Sequence, residues 1–485
     1  MGKIVIIGGG VAGLSAGITA AMAGHAVTVC EKNRIPGGNL IGWDRRGYHI
    51  DNCIHWLTGT NPKTKLYKKW ESLGVYSGTE IYQPGVLYTA EYGKKSLSLH
   101  SSLEKTEEAL LMASEGDEKR IRSLIRAVRA MNIISGTEDF TPKSLPCFFS
   151  LARHLNLSVK DLADTFNSRL IKSFISSFFG EDFGALALIN VISTFTSGNG
   201  ALPKGGSTAM ASAMAKKLES VGGTLLLGSE VTAMEAEGGV VRSVRLRDGR
   251  TLCCDALIIA CDPHAVSRFI PLVLPAVLSE RYRTLNTFSS HHTAFALDLG
   301  RAPFSSTLIL DIPEKYRKTL GSDKLILREF SHEPSFSPRG KSLIEATVFV
   351  RSDFAKKFIE KRHASLDAYR AYKNKLSDII SHLITARFPE LSGKISKIDS
   401  WTPATYERYL GARDGSYMSF ILPKSYIPKK CKSKLPGYRN LFLASQWQTM
   451  PGGLPMSAEC GISTATEVIL SISKSEKEKG RLTAQ

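Results

Sequence analysis

Much of what would assign this 485-residue chain to a specialised class is missing from it. Its eight cysteines, at 30, 53, 147, 253, 254, 261, 431 and 460, include no CxxC pair. Neither a disulfide framework nor a structural zinc is therefore expected, and a reducing compartment is favoured. No metal-binding cluster appears, no internal repeat, and no helix-turn-helix, zinc-finger or RNA-binding motif, so nucleic acid is not an expected partner. GxSxG occurs only as Gly13-Leu14-Ser15-Ala16-Gly17, inside an Ala-rich helical stretch and not at a strand-to-helix elbow, and HExxH is absent, so a cofactor must carry any difficult chemistry. Acidic residues are in short supply: 45 Asp and Glu against 63 Lys and Arg leave a net charge of +18. Such a balance suits an anionic membrane surface, although a basic solvated surface without a partner has the same composition.

The longest stretch without charge lies near the start of the sequence. From Ile4 to Val29 there is no Asp, Glu, Lys or Arg, which by hydropathy alone reads as a signal peptide or a membrane span. Six glycines inside it, at 8, 9, 10, 13, 17 and 24, point elsewhere. A β-branched run (Ile4–Ile7), a glycine cluster, an Ala-rich helical stretch and a second β-run (Ala26–Val29) make a βαβ unit with strands buried on both faces. Other uncharged stretches, such as 183–203 and 440–458, are broken up by Gly, Asn, Gln, Ser and Thr, so no transmembrane segment is expected.

The glycine cluster is GxGxxG in its proper context, directly after a strand and opening a helix. Gly8 permits the tight turn, Gly10 lets backbone approach a pyrophosphate, and Gly13 allows close helix–strand packing. Glu31 follows Gly13 by 18 residues at the end of the second strand, where a carboxylate accepts hydrogen bonds from ribose hydroxyls. A second glycine pair, Gly37-Gly38, lies close behind. Pro203-Lys204-Gly205-Gly206 leads a helical stretch over 207–221, followed by Gly222-Gly223 and a strand expected to end near Val231. DALIIACD (255–262) reads as another buried strand. Asn440 to Trp447 and Pro451-Gly452-Gly453-Leu454-Pro455 precede a final helix.

Together these segments resemble the phytoene desaturase, carotenoid isomerase and retinol saturase family of FAD-dependent oxidoreductases over nearly the whole chain. The stretch Ile50 to Trp56 is closer to the retinol saturase form. The resemblance implies an α/β fold in which a Rossmann-like FAD-binding domain is assembled from discontinuous segments, 1–75, 201–265 and 415–472. An α+β substrate domain of helices and a mixed sheet would take 76–200 and 266–414, and 473–485 would be a flexible tail. Gly8, Gly10, Gly13, Glu31, Gly37, Gly38, Val231, Gln446, Gly453 and Leu454 would hold FAD. There are departures: Asn39 replaces a basic residue, Ser445-Gln446 a Gly-acid pair, and Glu459-Cys460-Gly461 a Ser-Gly.

The implied reaction is desaturation, saturation or isomerisation of a long apolar lipid such as a carotenoid, retinoid or fatty acid. His55, which titrates near neutral pH when unperturbed, is the first candidate for a proton donor, with Glu459 and Tyr417 behind it. His291-His292 read as strand residues. A flavin amine oxidase, a protoporphyrinogen oxidase or a non-enzymatic GDI-like lipid-binding protein would share the architecture. The Leu145–Phe179 stretch interleaves apolar side chains with Arg153, Lys160, Arg169 and Lys172. It could be ordinary core helices with basic outer faces or a surface that dips into lipid. A cytoplasmic protein peripheral to the membrane is the resulting expectation; oligomeric state is not legible.

Overall fold

The computed structural model describes residues 1–177, 180–426 and 429–483, with side chains described as far as Lys474. The run KIVII becomes strand β1 (Lys3–Ile7), whose last four residues are buried. The Ala-rich stretch becomes helix α1 (Val11–Met22), and AVTVC becomes β2 (Ala26–Cys30). Strands Thr224–Leu226, β2, β1, Ala256–Ile259 and Leu441–Leu443 lie side by side in that order, all parallel. Helix α1 packs beside the final helix Leu454–Thr483, where Gly461 approaches Ala12 and Ser15 too closely to accept a Cβ. That final helix continues through most of the stretch expected to fray.

One boundary differs from expectation. After Gly222-Gly223 the chain makes only the short strand Thr224–Leu226, turns, and begins a separate strand at Val231 (Val231–Glu237). Val231 therefore opens an antiparallel three-stranded meander with Val240–Leu246 and Thr251–Cys253 instead of ending a strand of the parallel sheet. Polar Gly228-Ser229-Glu230 supplies the turn that hydropathy alone does not register.

The second half of the molecule is a seven-stranded sheet capped by helices. Its order is Ile395–Trp401, Phe288–Leu297, Ser342–Arg351, Lys324–Glu329, Thr307–Asp311, Val86–Tyr92 and Lys95–His100. Every neighbouring pair is antiparallel except Thr307–Asp311 with Val86–Tyr92. Phe288–Leu297 is buried along its entire length, so it carries no alternation. His291 and His292 are strand residues within it. The whole is an α/β fold: a Rossmann-like domain gathered from distant segments, plus an α+β domain.

Residues 145–177 combine core and exposed apolar side chains. Leu151, Phe166, Leu170 and Phe174 are core, with Phe174 stacked on Tyr88 at 5.1 Å. Leu145, Phe149 and Leu155 are exposed, Phe149 by 69%. Phe178 and Phe179 lie outside the described residues. Lys160 pairs with Asp164, while Arg169 reaches the uncharged Tyr92 hydroxyl and so keeps its charge unpaired by an acid; Arg153 is exposed.

Candidate active site

The first loop is shaped by its glycines. Gly8 holds φ +107°, and its N–H donates to Cys30 O at 2.8 Å. A Cβ on Gly13 would strike the Gly8 carbonyl, so no larger residue lets the helix start so close to the strand. Helix α1 begins at Gly10 without any side-chain cap, which leaves its first N–H groups free for an anion. The second pair packs directly on the first: Gly37 N–H donates to Gly9 O at 2.8 Å, with φ +116° at Gly37 and +63° at Gly38.

Glu31 is 5% exposed and closes one end of this cradle. One carboxylate oxygen accepts the Gly9 N–H at 2.8 Å, and the other accepts both the backbone and side-chain N–H groups of Asn33 at 2.8 Å. The carboxylate is thus held still and retains lone pairs for a hydroxyl. Across the cavity, Gln446 Oε1 accepts the Gly453 N–H at 2.9 Å, so this residue braces the loop before Leu454. Asn39 likewise serves the chain: its amide donates to Tyr417 O, and its two oxygens accept from Asn52. The free helix terminus, the buried carboxylate and the glycine walls fit the pyrophosphate and ribose of FAD.

The cradle opens into a cavity of ≈ 710 Å³, within the range of about 300–1,000 Å³ usual for ligand sites. Gly8, Gly10, Glu31, Gly37, Gly38, Val231, Gln446, Gly453 and Leu454 line it, as do His55 and Tyr417. Gly13 stays behind the wall as a packing residue. The far end is apolar and comes from the other domain: Met131, Leu186, Val191, Phe288, Ile326 and Phe349. A single cavity therefore runs from a nucleotide cradle into a greasy chamber.

Glu459 does not join it. Its carboxylate pairs with Lys69, both partly exposed, and it is not among the cavity's lining residues. Its place as a candidate proton donor is corrected here: the final helix turns Glu459 towards Lys69 and buries Cys460 instead. Tyr417 is in the wall, but its hydroxyl donates to Cys53 O at 3.0 Å and burial holds its pKa well above the usual phenol value. It braces the segment carrying His55.

His55 stands at the middle of the cavity, its ring 6.4 Å from Phe349 and 6.5 Å from Tyr417. Burial, followed by the nearby Arg328 charge, holds its pKa well below 6.5. The expectation of titration near neutrality is thereby corrected. His55 is a neutral imidazole at pH 7, able to donate one N–H and accept at the other nitrogen. Among the described residues its ring makes no hydrogen bond.

Sequence reasoning missed what holds His55 there. Arg328, 6% exposed, donates to the carbonyls of Ile54 and Asp51 at 2.5 Å and to Glu345 Oε2 at 2.7 Å. Glu345 Oε1 accepts the Asp51 N–H at 3.0 Å. The Asp51 carboxylate accepts from Ser207 N at 2.7 Å, Ser207 Oγ at 2.5 Å and Cys53 N at 3.1 Å. Behind it, His292 stacks on Trp401 at 4.7 Å and meets Tyr406 OH at 3.0 Å. The available signal was a charge inside each of two apolar strand runs, KLILRE and SLIEATVFVR.

The chain matches the family of flavin containing amine oxidoreductases over residues 11–343. Hydroxyneurosporene desaturase of Cereibacter sphaeroides is 24% identical over 64% of this chain and 70% of its own. The 4,4'-diapolycopene oxygenase of Methylomonas sp is 22% identical over 94% and 95%. The all-trans-retinol 13,14-reductase of Danio rerio is 20% identical over 85% and 76%. Among solved structures, an oxidoreductase from Methanosarcina mazei superposes with TM-score 0.62 at 17% identity, covering 95% of this chain and 99% of that one. Cyclohexylamine oxidase from Brevibacterium oxydans gives 0.57 at 14%, over 97% and 99%. A Rab GDI from Plasmodium falciparum gives 0.53 at 11%, over 97% and 98%. The fold is that of the FAD-dependent oxidoreductases. The chain belongs to the flavin containing amine oxidoreductase family, with FAD as its cofactor.

Two outcomes follow from this geometry. Replacing Glu31 by Ala removes the cradle's fixed carboxylate, so FAD should wash out at least about tenfold more readily, as expected when a charged hydrogen-bond partner is lost. Flavin retained to the wild-type extent on gel filtration would contradict that role. Burial pushes the Glu345 carboxyl up to about 7, although Arg328 pulls it down. Native Glu345 keeps its proton between roughly pH 4.5 and 7 while the unfolded chain releases it, so stability falls as pH rises through that window. Urea titrations of wild type and Glu345→Gln should show the stability difference shifting towards the variant over that range; a constant difference contradicts the assignment.

Proposed function

We propose that this protein is an FAD-dependent oxidoreductase that changes carbon–carbon bond order in a long apolar polyene, of carotenoid or retinoid type. The carrying observation is the single cavity that joins the dinucleotide cradle to an apolar chamber. Bound there, FAD supplies hydride acceptance or donation, which suits desaturation, saturation or isomerisation alike. The carotenoid-modifying relatives and the retinol reductase support the polyene over an amine.

The chamber binds by burial, each CH₂ removed from water contributing about 0.8 kcal/mol. Gly8, Gly10, Gly37, Gly38 and the α1 terminus hold the phosphates, Glu31 the ribose, and Val231, Gln446, Gly453 and Leu454 the remaining walls. His55 is the group in contact with the reacting carbons, and as a neutral imidazole it hands over or accepts a proton without holding a standing charge. Tyr417 positions it through Cys53. Anaerobic mixing of the yellow holoprotein with polyenes, retinoids, fatty acids and amines tests the reading. Flavin bleaching or recolouring should occur with polyenes or retinoids, and turnover confined to amines would contradict it.

The substrate's insolubility in water calls for docking at a bilayer. Among the described residues no helix is long and apolar enough to cross one. Ile134, Phe140, Leu145 and Phe149 are 50–69% exposed at the turn that joins the end of helix Glu118–Ser135 to the first half of helix Leu145–His154. Met131, one turn before Ile134 on the same helix, lines the chamber. Lys143 and Arg153 flank this turn and are exposed. The turn inserts into the headgroup layer of an anionic membrane, next to the chamber's helical wall. Vesicle flotation should show preference for anionic lipid. Leu145→Ser with Phe149→Ser should weaken binding at least about tenfold, since each buried side chain of this kind contributes roughly 1.5–3 kcal/mol. Unchanged partitioning of the double variant would remove this turn from the contact.

A further inference from the structure

His55 has a second side. Besides the main cavity it lines a separate small one of ≈ 40 Å³, in which Asp51, Arg328, Glu329, His332 and Glu333 stand among apolar neighbours such as Leu87. At about 10–15 Å³ per water, this volume holds roughly three molecules. Arg328 Nε is buried without any hydrogen-bond partner, and a buried guanidinium N–H left unmade is costly unless water reaches it. His55 likewise has ring nitrogens without protein partners among the described residues. At the outer end His332 stacks on Tyr82 at 5.2 Å, and Tyr82 is 38% exposed. A small cavity of mixed lining thus lies between His55 and the His332–Tyr82 surface, on the opposite side of His55 from the apolar chamber.

We propose that the small cavity is a hydrated proton passage, in which waters anchored on Arg328 Nε connect the His332–Tyr82 surface to His55. The passage lets protons reach or leave the reacting carbons without wetting the apolar chamber. In the inward direction, one His55 nitrogen takes a proton from the adjacent water while the other releases its own into the main cavity. The water is replenished along the chain from bulk solvent, and a ring flip or the reverse transfer restores the starting tautomer. No electron moves in this step, and the imidazole begins and ends neutral. Its use rests on the redox reading given above; its water content does not.

Two measurements decide it. A crystal structure of the holoprotein that resolves solvent should show two or three ordered waters in this cell, one within hydrogen-bond distance of Arg328 Nε and one on a His55 ring nitrogen. A dry cell overturns the proposal. Val86→Phe and Thr307→Met each fill the cell from strands that take no part in the cradle or the chamber's chemistry. Each should slow the proton-coupled half-reaction at least about fivefold, a fraction of the usual general acid–base contribution. FAD content and melting temperature should stay near wild type, and the solvent deuterium isotope effect should rise. Wild-type rates and isotope effects in whichever filled variant folds would overturn the passage even with waters present. Should the wild type react with no polyene or retinoid, the redox reading alone fails, and the solvent density still rules for or against the site.

Discussion

A buried guanidinium ties the two domains together at the point where their cavity walls meet. Arg328 comes from the seven-stranded sheet, and its carbonyl partners Asp51 and Ile54 come from the segment that presents His55. Glu345 answers from the neighbouring strand, and Asp51 is fastened in turn to Ser207 at the start of helix Gly206–Ser220. Removing one member of such a buried set typically costs about 3–5 kcal/mol, because its partner is left charged and dry. A hydrophobic replacement of the whole set could be as stable, so stability alone does not account for it. What the set adds is placement: two carbonyls just before His55, those of Asp51 and Ile54, are fixed by one rigid fork.

That placement explains how one cavity supports two kinds of contact. On one side, backbone amides and a fixed carboxylate form a cradle that fits phosphate and ribose. On the other, aliphatic and aromatic side chains offer an apolar ligand nothing but burial. His55 lies between them, neutral because burial and the Arg328 charge both oppose imidazolium. A charged group at this point would have to be desolvated each time an apolar substrate entered; a neutral imidazole does not.

Legibility followed sequence separation. The cradle was readable because its parts are local: the glycines, the strands on either side and Glu31 fall within 31 residues, and the backbone requirements of each position are set by its immediate neighbours. The Arg328 tie was not readable, since Arg328 and Asp51 are 277 residues apart and only the folded sheet brings them together. Glu459 shows a different failure. Its place on a helix was legible, but the direction it faces depends on how that helix rolls against α1, where close contact at Gly461 decides the outcome. Phe149 and Phe174 look alike in sequence, and only packing separates an exposed ring from one stacked on Tyr88.

The account stands or falls on His55 as the group that meets the reacting carbons. Rapid mixing of substrate with wild type, His55→Ala and His55→Gln, monitored by flavin absorbance without oxygen, addresses this directly. The Ala variant should retain FAD with a near-normal spectrum and slow the half-reaction at least about tenfold, the low end for loss of a positioned acid or base. Gln should recover part of that loss only if hydrogen bonding, not proton transfer, is the contribution. A wild-type rate in His55→Ala with FAD bound would contradict the account and reduce His55 to a packing residue.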